Sequence, residues 1–106
     1  MQYNGRHGFV VKLLQTLLKS HQETPGKLID AVIAADFNAL SFVTHSFAGA
    51  ASVVQVNDLT EKSREIERQA RAGWSGVFSQ VASLAQEIDQ FLLALSMWLD
   101  AGAPTR

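Results

Sequence analysis

His45 lies in a stretch whose neighbours are too small for an ordinary solvent-facing helix. Neutral imidazole is a competent nucleophile near neutral pH, because its unperturbed pKa is about 6.5. Such a nucleophile needs access more than it needs a pocket. Advancing about 100° per residue along a helix from Asp36 to about Val54, one side carries Asn38, Ser41, His45, Ala48, Gly49 and Ser52. The other side carries Leu40, Val43, Phe47, Ala50, Ala51 and Val54, which are predicted to face the core. A solvated face would hold Lys, Glu or Arg, which favour both helix and solubility. Here it is a platform of small residues with an imidazole at its centre. Gly49 adds to the anomaly, since a mid-helix glycine costs about 0.5–1 kcal/mol relative to alanine. Its place one turn after His45 suggests that something approaches the backbone closely. The competing reading is that the platform packs under another helix and His45 is an ordinary groove histidine.

Other chemistries find no residues to carry them. The chain has no cysteine, which removes disulfides, zinc-thiolate sites and thiol nucleophiles. His7 and His21 flank the first apolar stripe, and neither has a second ligand one turn away. There is no Glu-x-x-His pair and no His-Glu-x-x-His motif, so no metal site is expected. A net charge of −1 and a pI of about 6.3 argue against nucleic-acid binding. Trp74 and Trp98 are expected to pack rather than to stack on a ligand.

The elements that must position His45 are helical. With 106 residues, 47% of them hydrophobic and 18% charged, the chain is expected to be one globular domain over residues 1–106. Phe9, Val10, Leu13, Leu14, Leu17 and Leu18 recur at helical spacing. Thr24-Pro25 reads as a cap followed by proline at the first helical position, opening a short helix with Leu28, Ile29, Val32 and Ile33 as its stripe. Asp36 is placed to cap the histidine helix and Asn57 to cap the next. In that next helix Asp58 and Glu61 lie early and Arg68 and Arg71 late, as the helix dipole favours, and Gly73 is the natural stop. The run Glu61 to Arg68 alternates in sign, the mark of a solvated helix. A last helix begins at Ser75 or Gly76, carries Val77, Val81, Leu84, Ile88, Phe91, Leu95, Trp98 and Leu99 along one side, and ends around Asp100, Gly102 and Pro104. Nothing alternates like a strand. The predicted fold is all-α: an antiparallel four-helix bundle with a short additional helix near the N-terminus. Phe37 to Asn57 carries no charged residue but is broken by polar ones, and the N-terminus lacks the apolar core of a secretory signal. A cytoplasmic protein without membrane contact is expected.

Thr44-His45-Ser46-Phe47-Ala48-Gly49-Ala50-Ala51 resembles the signature of histidine-containing phosphotransfer (HPt) domains: a small residue, His, any residue, Leu, Lys, Gly, then small residues. The resemblance extends upstream through Leu28 to Asp36 and Leu40, and downstream through Leu59, Ile66-Glu67 and Arg71-Ala72-Gly73. It implies a multistep His–Asp phosphorelay in which His45 takes a phosphoryl group from a receiver-domain aspartate, holds it on Nε2 and passes it to another receiver. It also implies a monomeric carrier with no ATP-dependent activity and no cofactor of its own, Mg²⁺ being expected on the receiver alone. Such a domain stands alone or forms the C-terminal module of a hybrid sensor kinase. Ser41, Ala48, Gly49 and Ser52 around His45 are the expected receiver-binding residues. Two positions depart from the pattern: the family's lysine is Ala48 here, and its later glycine is Gln55. Lys62 and Arg64 on the following helix are the candidates to supply the missing charge. The alternative is a degenerate bundle that binds a receiver or kinase without carrying phosphate, favoured only by the loss of that lysine.

Overall fold

The computed structural model describes residues 2–103, with side chains from residue 7 onward. Its helices are α1 (Gln2–His21), α2 (Thr24–Ile33), α3 (Phe37–Val53), α4 (Asn57–Arg71) and α5 (Phe78–Asp100), with a short 3₁₀ turn, Ser75–Val77, leading into the last. No strand occurs among the described residues, and the fold is the expected all-α bundle. Around the bundle α3 packs most extensively on α4, α4 on α5, α5 on α2 and α2 on α3, while α1 lies along α5 and touches α3. No helix among the described residues is long and apolar enough to cross a membrane. Pro104 lies outside them.

The core is a column of Leu28, Leu40, Phe47, Ala51, Leu59, Ile66, Val77, Val81, Leu84, Ile88, Leu92 and Leu95. Apart from Ala51, each of these side chains contributes about 1.5–3 kcal/mol by leaving water. α5 supplies the longest stripe, with Leu92 buried where Phe91 was expected and Phe91 only half-buried. The first two helices bury less than their periodicity suggested. In α2, Leu28 and Ala31 point inward, while Ile29 and Ile33 are exposed because that helix offers a single narrow ridge to α5 and α3. In α1, Phe9 and Val10 are exposed, since that half of the helix has little beside it except the end of α5, where His7 meets Trp98 edge-on at 6.2 Å.

The helix ends set the register of the bundle. Asp36 caps α3 as expected, its carboxylate accepting from the Ala39 N–H at 3.0 Å. Three successive helices close with paired bonds back into the last turn: Asp36 N–H to Ala31 O, Val56 N–H to Ala51 O and Trp74 N–H to Gln69 O. That geometry requires a left-handed residue one position earlier. Gly73 supplies it at φ 71°, but Ala35 and Gln55 adopt it with side chains, at φ 52° and 63°. Gln55 therefore ends the histidine helix as a glycine would, at a steric cost.

Two cap expectations need correction. Asn57 is the first residue of α4, because the turn at Gln55 leaves Val56 in the cap position with no side-chain bond. Thr24 is likewise the first residue of α2, with Glu23 at the cap. The Thr24 hydroxyl is buried and bonds His21 Nδ1 at 2.8 Å instead.

Candidate functional site

α3 buries Leu40, Thr44, Phe47, Ala48 and Ala51. Thr44 is a polar residue in that set, and its hydroxyl is satisfied within the helix by Leu40 O at 2.8 Å and Ser41 O at 3.1 Å. The buried arc is turned toward α4 by roughly 60° relative to the one expected, at about 100° per residue. The exposed arc becomes Asn38, Phe42, His45, Ser46, Gly49 and Val53.

His45 is thus on the surface, its side chain 68% exposed. Gly49 is exposed too, and a Cβ there would meet nothing within 4 Å. The expectation for Ala48 is corrected: at 2% exposure it is buried against α4 and is not a residue a partner can reach directly. Ser41 and Ser52 are half-buried, their hydroxyls donating back to Asn38 O and Gly49 O. Phe42, 73% exposed, and Val53, 62% exposed, were not expected on this face. They stand on either side of the His45–Gly49 turn and make the surface partly apolar.

The three-residue connection Val54 to Val56 folds α3 and α4 into a helical hairpin, so residues equally distant from Val56 come opposite one another. His45 meets Glu67 this way, and Nδ1 lies 3.0 Å from Glu67 Oε2. The same carboxylate oxygen accepts from Arg71 Nη2 at 2.9 Å. Glu67 is held in place, only 13% exposed. A carboxylate accepts only, so the ring must donate, and the proton of the neutral imidazole sits on Nδ1. That leaves the Nε2 lone pair free on an accessible ring. Sequence reasoning placed Glu67 in the family pattern but gave it no role. The signal available was its separation from the turn, equal to that of His45.

Between the two helices lies a hollow of about 240 Å³ lined by His45, Ala48, Gly49, Arg64 and Glu67. Lys62 is elsewhere, bonded to Glu87 of α5 at 2.6 Å beside a larger α4–α5 hollow of about 560 Å³ that contains no histidine. No group of three or more His, Cys, Asp or Glu side chains suited to a metal occurs among the described residues.

The bundle thus presents a carboxylate-oriented imidazole on an open, partly apolar face. The family model of the Hpt domain matches residues 12–98, and the chain belongs to that family. Hpt domains are the histidine phosphotransfer modules of phosphorelays and interact there with receiver domains. Nothing matches the chain among curated proteins or among solved structures.

Proposed function

We propose that His45 is the phosphoacceptor of this domain, taking a phosphoryl group from the aspartyl phosphate of one receiver and delivering it to the aspartate of another. The Nε2 lone pair attacks phosphorus in line as the P–O bond to the aspartate breaks. The bonding pair leaves on the aspartate carboxylate. Positive charge develops on the ring, which keeps its Nδ1 proton, and the Glu67 carboxylate beside that proton stabilises it. Glu67 is a positioning residue, and Arg71 fixes Glu67 in turn. The return step reverses these movements. Positioning and charge dominate such transfers, and most of both would come from the receiver and its Mg²⁺. The domain uses no ATP and no cofactor of its own.

The receiver docks on the exposed arc, over Phe42, Ser46, Gly49 and Val53. Ser41 and Ser52 form the flank of that surface nearer α4, and Ala48 lies beneath it. The same reading gives a cytoplasmic monomer, free-standing or at the end of a hybrid sensor kinase. The observation that carries the proposal is the Nδ1–Glu67 bond on an exposed ring, which orients His45 for attack through Nε2. A bundle that merely bound a receiver would have no use for it. The test is incubation with a receiver domain radiolabelled on its aspartate. Label that is acid-labile, base-stable and mapped to His45 supports the reading; label absent, or mapped to another residue, overturns it.

A further inference from the structure

The cations of α4 are sorted by partner. Lys62 pairs with Glu87, Arg68 with Glu65 and Arg71 with Glu67. Arg64 is the α4 cation with no carboxylate partner among the described residues. It lines the hollow that holds His45, opposite Ala48 across the hairpin. Glu67 is already matched there by Arg71 and by the ring N–H. The resting hollow therefore offers Arg64 no unmatched negative charge.

Phosphorylation changes that balance. A phosphoryl group brings up to about two negative charges and three strong acceptor oxygens. On His45 it would stand at a hollow where Ala48 and Gly49 supply no charge and Arg64 supplies one. We propose that Arg64 is the phosphoryl-binding residue of this site, reaching across Ala48 to pair with the phosphoryl oxygens during transfer and in phosphorylated His45. Guanidinium suits the task, since its planar fork matches phosphate geometry and its charge is permanent. The cation is delivered from the facing helix, so α3 can keep small residues where the receiver docks. This inference rests on the phosphotransfer reading of His45.

The test compares wild type, Arg64→Gln, Arg64→Lys and Lys62→Gln, first with a phosphorylated receiver and then with phosphoramidate as a small donor needing no docking. The result expected for Arg64→Gln is a rate lowered about 10-fold with both donors, at an unchanged urea midpoint. Arg64→Lys retains most of the rate, and Lys62→Gln all of it. The ³¹P resonance of phosphorylated His45 titrates at higher pH in Arg64→Gln than in wild type, because the cation that favours the dianion is gone. A merely structural role would not move that titration. Wild-type rate and titration in Arg64→Gln overturn the inference while leaving His45 as the acceptor. A loss in Arg64→Lys as large as in Arg64→Gln overturns the charge argument. A wild-type protein that takes no phosphate from either donor overturns the phosphotransfer reading itself.

Discussion

His45 and His21 carry the same ring into opposite surroundings, with Phe47 between them. His45 stands on the outer face of α3, bonded through Nδ1 to a carboxylate that can only accept. His21 ends α1 at 7% exposure, packed edge-on against Phe47 at 5.3 Å and bonded through Nδ1 to the Thr24 hydroxyl. A hydroxyl donates or accepts, so that bond does not set the tautomer of His21, and burial denies its ring to a partner. Burial, and secondarily the charge of Lys27, lowers its pKa from the ordinary imidazole value. One histidine is arranged for transfer and the other for packing. What separates them is exposure and the kind of acceptor, neither of which is a property of the residue type.

The division can be broken most forcefully at Phe47, whose ring is fully buried and holds the two regions together. Phe47→Ala should cost about 3–5 kcal/mol in urea unfolding, a large share of a small domain's stability. The folded fraction should still accept phosphate, since Phe47 lies across the helix from the exposed arc. An unfolding midpoint equal to wild type would show that this side of α3 does not face the core.

A smaller change, of opposite sign, is expected at the turn that aligns Glu67 with His45. Gln55 holds φ 63° with a side chain, and Gln55→Gly should relieve that conformation and stabilise by about 1 kcal/mol. Thermal unfolding checks this, and no gain, or a loss, would mean that the glutamine side chain earns its place through contacts. Gly49 sharpens the comparison further. Open space around its Cβ position means that Gly49→Ala should stabilise by up to about 1 kcal/mol. Gly49→Gln should keep that stability yet reduce receiver binding and transfer, measured by titration and labelling. Undiminished transfer through Gly49→Gln would remove the close-docking argument.

The smallest effect is the pH dependence that belongs to His21 alone. Its folded pKa lies below its unfolded value, so protonation opposes folding. The contribution is fully present above the unfolded value of about 6.5 and is lost as pH falls through the lower folded one. Urea midpoints should therefore decline on acidification below about 6.5, and His21→Gln should flatten that part of the profile. An unchanged slope in the variant would assign the acid sensitivity to other groups.

Much of the scaffold was legible because its signals are local. Asp36 caps α3, Gly73 closes α4, and the long stripe of α5 faces inward, all from chemistry within a few residues. The phase of α3 was less legible. Apolar and small residues occur nearly all round that helix, so periodicity alone could not decide between Val43 and Ala48 for the inner side. The hairpin with α4 decided it, and it drew Ala48 inward while leaving Phe42 and Val53 in solvent. Glu67 was hidden for a related reason. Its place in the alternating run Glu61 to Arg68 marked it as part of a solvated face, and only the register across the turn brings it to His45. Lys62 and Arg64 were indistinguishable until α5 supplied Glu87 to one of them.

The most direct measurement takes His45→Gln and His21→Gln side by side, scoring each for urea midpoint and for label received from a phosphorylated receiver. His45→Gln should lose all label while its stability stays within about 0.5 kcal/mol of wild type, as expected for an exposed position. His21→Gln should be less stable and, while folded, labelled normally. Full labelling of His45→Gln, with its stability intact, would contradict the assignment of phosphotransfer to this face of the bundle.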